Sequence, residues 1–164
     1  MPRTKRSTPI TADHPAIAGP RAPADRLYRA TAECVRQRQR YSALVEAGAS
    51  DEEQRAALKV ASLCDTILTG NIAAFEAASA NGLSKEEDWY RKAILVWQAS
   101  REYERRHNAT DVSTRKLGGP EGLSNLALEY DLEASALLAL QHALSSYRKT
   151  VPEAHIEATS TRLS

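Results

Sequence analysis

Five of the seven prolines fall within residues 1–23, and none occurs between Ala24 and Gly119. A proline inside a helix removes a backbone donor, clashes with the preceding turn and costs about 3 kcal/mol. The distribution therefore divides the chain into a front that cannot be regular helix and a body that can. We read residues 1–24 as a basic, proline-rich, disordered tail. Residues 25–150 form a helical domain, and residues 151–164, beginning just before Pro152, a frayed C-terminal tail.

Within the body, apolar residues recur at steps of three and four, the spacing of one helical face. A first helix is expected from Asp25, a good N-cap, to Ala47, with Gly48 just past its end. Its seam is Leu27, Thr31, Cys34, Arg38, Tyr41 and Val45. A second opens at Ser50, with Glu53 three residues on as a capping box, and stops near Asn81 and Gly82. Its expected seam is Val60, Cys64, Ile67, Asn71 and Phe75, with Gly70 marking a possible kink. A third starts with the same chemistry at Ser84 and Glu87 and runs to about His107, through Trp89, Ala93, Val96, Ser100 and Tyr103. The fourth spans Pro120 or Ser124 to Lys149, with Leu126, Tyr130, Glu133, Leu137, Leu140, Leu144 and Tyr147 inward. Four amphipathic helices predict an all-α antiparallel bundle. Residues 108–119, taken as an open link, would permit either an up-down-up-down order or a crossover.

Net charge is +1, but residues 1–40 hold nine Lys/Arg against three acids while the remainder is acidic. Cys34 and Cys64 lack any CxxC or Cys/His spacing and read as buried free thiols. Arg3, Lys5 and Arg6 precede no apolar run, so no signal peptide is expected. The longest apolar stretch, Ala134 to Leu140, is far below the roughly 18 residues of a membrane span. These features predict a cytoplasmic protein with no membrane partner.

Glu104 and His107 form a Glu-x-x-His, the spacing that di-iron bundles use twice together with two further acids. Ala139 stands where a matching glutamate would precede His142, so no metal and no cofactor is expected. Gly118-Gly119-Pro120-Glu121-Gly122 lacks the Lys-Ser/Thr that completes a phosphate-binding loop. No nucleophile elbow or fixed acid pair organises the remaining Ser, His and Asp residues. The expectation is a non-enzymatic protein; a metal-dependent oxidase around Glu104 and His107 is the catalytic alternative.

Arg29, Glu33, Arg36 and Arg40 share one stripe of the first helix, whereas Arg38 points into the seam. A guanidinium buried without a partner is costly, so Arg38 is expected to meet Glu133 or Asp65. Arg3, Lys5 and Arg6, with Arg29, Arg36 and Arg40, are the candidate contacts to nucleic acid phosphates. Ala93–Trp97 and Ala136–Leu140 are apolar all round, wider than the roughly 100° stripe a surface helix needs. Ile94, Trp97 and Leu138 are thus candidate interface residues for a homo-oligomer or a protein partner. A structural scaffold that binds no nucleic acid is the competing reading.

Residues Ser50 to Leu83, SDEEQRAALKVASLCDTILTGNIAAFEAASANGL, resemble the central helix of phage terminase small subunits. There an acidic start precedes "RAAL" and a long Ala-rich helix ends in "GL". The basic, proline-bearing N-terminus is also similar to that family, while the family's C-terminal Pro-Ser-Ser-Arg-like ending is absent. The resemblance implies a ring-forming, non-catalytic DNA-recognition subunit that hands DNA to a motor ATPase.

Overall fold

Helix capping sets the frame. Ser50 Oγ accepts the Glu53 amide at 3.3 Å while the Glu53 carboxylate accepts the Ser50 amide at 3.0 Å, so the expected capping box forms and satisfies two orphan donors. Gly48 takes φ +67° in the turn before it, a left-handed conformation that glycine adopts without a Cβ clash. The computed structural model describes residues 19–82, 87–115 and 119–151. Its helices are α1 (Ala22–Glu46), α2 (Asp51–Ala80), α3 (Asp88–Arg115) and α4 (Gly119–Arg148). They make an all-α bundle, and there is no strand among the described residues.

Two boundaries differ from expectation. α1 begins three residues before Asp25, with Pro23 in its first turn, where the missing amide costs nothing. Asp25 is therefore not the N-cap; its carboxylate turns inward and accepts the Tyr147 hydroxyl at 2.5 Å. α3 continues two turns past His107, to Arg115. Thr110 and Thr114 return their hydroxyls to the carbonyls of Arg106 and Thr110, and neither glycine nor proline interrupts the chain before Leu117. The expected cap at Ser84 lies outside the described residues.

The longer α3 settles the helix order. His107 meets Glu133 and Thr110 meets the Glu129 carbonyl, so α3 and α4 run antiparallel as a hairpin. α1 and α2 form the other hairpin, joined where Cys34 and Arg38 meet Asp65. Between the hairpins, Arg21 lies over Trp89, Thr31 meets Ser100 and Arg38 meets Glu104. This series ascends both helices together, so α1 and α3 are parallel and the order is up-down-up-down.

α1 thereby touches all three other helices, and the core gathers round it. Leu27, Cys34, Leu68, Phe75, Val96, Leu140 and Tyr147 are its most enclosed members; each large side chain so buried contributes roughly 2 kcal/mol. Thr31 and Ser100 are also fully enclosed. Thr31 donates to the Leu27 carbonyl at 2.8 Å, so Ser100 is the donor in the 3.2 Å bond between the two hydroxyls. Small partners at this crossing let α1 and α3 approach closely.

Candidate interaction surface

Arg38, buried in α1, collects the polar groups of the interior. Its Nη2 donates to Asp65 of α2 at 2.8 Å and to Glu104 of α3 at 3.2 Å, and its Nη1 stands 2.9 Å from the second Glu104 oxygen. The guanidinium also lies 4.9 Å from the centroid of the Tyr103 ring. Burial works against its charge, yet the field of Glu104 and the Glu104 hydrogen bond hold the guanidinium pKa above its ordinary value. Asp65 is one of the expected partners. The other, Glu133, is not bonded to Arg38: it lies on α4, beside the end of α3, and takes His107 Nδ1 at 2.9 Å. Burial raises the Glu133 pKa, but the bonds from His107 and Thr110 outweigh it and hold the carboxyl below the usual range.

Cys34, Asp65 and Glu104 bring a sulfur and two carboxylates within 4.8 Å of one another. A cation already sits among them, because both carboxylates are bonded to Arg38. Burial pushes the Cys34 thiol up against the lowering field of Arg38, and its hydrogen bond to Asp65 adds to the rise. A protonated thiol is a poor metal ligand, so the cluster reads as a structural ion network. Glu104 of the Glu-x-x-His is spent on Arg38 and His107 on Glu133, which points the pair away from a shared metal.

A second node was not read from the sequence. Arg21 donates to the Thr150 carbonyl and hydroxyl, both at 2.8 Å, and to Asp25 at 3.2 Å. Its guanidinium lies between Trp89 and Tyr147, at 5.6 and 5.2 Å from the ring centroids. The start of α1 is thus clasped to the start of α3 and the end of α4. Arg21 stood among the prolines of the supposed tail; the only signal was an Asp four residues later.

Of the candidate phosphate contacts, Arg3, Lys5 and Arg6 lie outside the described residues. Arg36 and Arg40 are exposed on α1 and Arg29 is partly covered. Arg36 is bonded to Glu33 of its own stripe. On α3, Arg105 and Arg106 both bond Glu102 and hold its carboxyl down at about 2. Exposed cations of the body thus include Arg36 and Arg40 on α1 and Arg55 and Lys59 on α2.

The chain matches no known family model, no curated protein and no solved structure. What its surface can do is read from its own side chains.

The apolar residues separate into two groups. Ile94 and Trp97 pack against the core, and Trp97 Nε1 donates to Glu76 at 2.9 Å beneath Arg101. Both are used within the bundle, whereas Leu138 is 60% exposed. On α4 it is joined by Leu123, Leu128 and Tyr130, among the acids Glu129, Asp131 and Glu133; an exposed set without such charges lies on α2, where the expected seam is displaced. Ala57, Ala61, Cys64, Leu68 and Phe75 face inward, while Val60 and Ile67 stand outside with Leu63, which is 61% exposed. Asp65 is drawn to Arg38, and small Ala57 and Ala61 let α1 close on that face, turning Val60 and Ile67 away. Among the described residues, α2 is the helix whose length and composition would allow it to cross a membrane, and only 22% of its most apolar stretch is buried. From Val60 to Phe75 its sole charge is Asp65, which is bonded inward. Over about 22 Å, the outer face of α2 carries no charge.

Proposed function

We propose that the chain is a cytoplasmic, non-enzymatic association module. It joins a protein partner or copies of itself through an apolar helix face, and its basic arm contacts nucleic acid. The observation that carries this reading is the outer face of α2, where Val60, Leu63 and Ile67 are exposed and no charge interrupts them. Solvated helix faces are normally rich in Lys, Glu and Arg, and an exposed apolar patch with no such residues marks a contact surface. The polar groups brought together inside the bundle are consumed in ion pairs that hold the hairpins together, which favours a structural use for them.

The nucleic-acid part rests on Arg36 and Arg40, exposed on the face of α1 that follows the basic N-terminus. With Arg3, Lys5 and Arg6 they supply roughly five phosphate contacts, so affinity for duplex DNA should fall about 500-fold between 50 and 200 mM salt. A gel-retardation series on duplex DNA tests this. Deleting residues 1–18 should abolish retardation while sparing Arg21 and the fold. No retardation at 50 mM salt would remove nucleic acid from the reading and leave a protein scaffold, and retardation that ignores salt, or that survives both this deletion and Arg36→Ala/Arg40→Ala, would remove these residues as the contacts. In its finer form the proposal is a DNA-packaging adaptor of the small-terminase kind, for which salt-sensitive DNA binding by an oligomer is the minimum requirement.

A further inference from the structure

We propose that the outer face of α2 is covered by α2 of a second copy of this chain, antiparallel, about a two-fold axis beside position 65. The inference rests on the association reading above and specifies its occupant.

The exposed residues Ala56, Val60, Leu63, Ile67, Gly70 and Ala74 follow one another at alternating steps of four and three. This is the spacing of a helix-pairing seam. It lies about 100° round the helix from the buried face through Ala57, Ala61, Cys64, Leu68 and Phe75, so a partner can approach without displacing α1. The sizes of the six residues suit antiparallel self-pairing. Leu63 would meet Ile67 of the other copy, Val60 would meet Gly70, and Ala56 would meet Ala74. All three pairs share a midpoint at position 65. Large residues then fill the middle, and Val60 enters the space that Gly70 leaves; a Cβ at Gly70 meets nothing within 4 Å in the single chain. A two-fold interface needs this reciprocity, residue i on j and j on i.

The area is also sufficient. From Ala56 to Ala74 the seam is about 27 Å long on a helix 10–12 Å wide, giving roughly 300 Å² in projection and about twice that as accessible surface. Two copies would bury about 1,200 Å², the lower edge of the range for stable interfaces. A lipid surface is the competing occupant. It is disfavoured because Ser62, Thr66 and Thr69 flank the seam, because Gly70 and Ala74 leave little to insert, and because α2 has no Trp or Tyr to sit at an interface.

The test is solution mass by light scattering on the full chain from 1 to 200 µM, without DNA. The wild type should pass from the monomer mass of 18.0 kDa to twice that value. Leu63→Glu/Ile67→Glu should stay monomeric throughout with unchanged helicity, because both residues are solvent-facing in the single chain. Gly70→Leu should weaken dimerisation at least tenfold while keeping the fold. A wild type that stays monomeric, a dimer that survives Leu63→Glu/Ile67→Glu, or a monomer that instead pellets with vesicles of mixed neutral and anionic phospholipid would each overturn the proposal. A monomer that still retards DNA would sink the dimer alone and leave the nucleic-acid reading standing.

Discussion

α1 and α2 are the two arms of one hairpin, and their burial runs against their composition. α1 carries charges along its length, yet it contributes more buried polar residues than any other helix among the described residues: Asp25, Thr31 and Arg38. α2 carries one charge between Val60 and Phe75, yet most of its large apolar residues face out. Position explains the inversion. α1 lies against α2, α3 and α4, so its polar groups are met by Tyr147, Ser100, Asp65 and Glu104. α2 lies chiefly against α1 and has one covered face. Hydropathy alone would have buried the wrong arm, and the surplus on α2 is the chief reason to assign this molecule a partner.

Breaking the inward side of the comparison should have the largest effect. Arg38→Leu leaves Asp65 and Glu104 facing each other without their cation, and removing one member of a buried ionic set typically costs 3–5 kcal/mol. Because Asp65 is about one-third exposed, a loss of about 3 kcal/mol is expected in urea denaturation. The outward residues should behave oppositely. On the single chain, Leu63→Glu/Ile67→Glu should change stability by no more than about 0.5 kcal/mol, and this variant is the proper background for the other measurements because it removes any concentration dependence.

Next in size is the clasp at the base. Tyr147 is fully enclosed and its hydroxyl donates to a buried carboxylate. Tyr147→Phe leaves Asp25 its bond from Arg21 but removes a charge-assisted one, so about 1.5–2 kcal/mol should be lost. An unchanged melting temperature would mean that Arg21 alone secures the base.

Acid should act through Glu133. Its folded pKa is held below the ordinary value of 4.5 by His107 and Thr110, in spite of burial. A depressed carboxyl contributes stability that is fully present above its unfolded pKa and is lost as pH falls through the folded value. Thermal stability should therefore be flat in this group above about pH 5 and decline below 4.5, and Glu133→Gln should shallow that decline. An identical acid profile for the variant would show that the pair contributes nothing. A small gain, not a loss, is expected on α2. In the monomeric background Gly70→Ala should stabilise the chain by about 0.5–1 kcal/mol, since it improves an exposed helix interior.

The sequence made some of this legible and hid the rest for physical reasons. Ser50, Glu53 and Gly48 announce their turn because capping is local chemistry, settled within a few residues. The α1 seam through Leu27, Thr31, Cys34 and Arg38 was readable because that face is buried along most of its length. The rotation of α2 was not. Its apolar residues nearly encircle the helix, so periodicity cannot choose a face, and the choice falls to Asp65 reaching Arg38. Ile94 and Trp97 seemed surplus because their cover comes from elsewhere in the fold: Ile94 packs against the core, and the acid that takes the Trp97 indole N–H, Glu76, lies on another helix. Arg38 clearly needed an acid, but Glu104 was hidden within a metal-like motif and Glu133 was claimed by a histidine in the same hairpin. Arg21 was lost to the prolines round it.

The most direct measurement on the central claim is the distance between nitroxide labels on paired α2 helices. Cys34 and Cys64 are buried with raised thiol pKa values, so labelling near neutral pH goes to an introduced cysteine. An antiparallel pair centred at position 65 brings two Thr66→Cys labels within about 20 Å and separates two Arg55→Cys labels by about 30 Å or more. Short distances at both positions would mean a parallel pair, and no defined distance at either would mean that α2 does not meet its copy; either result contradicts the account.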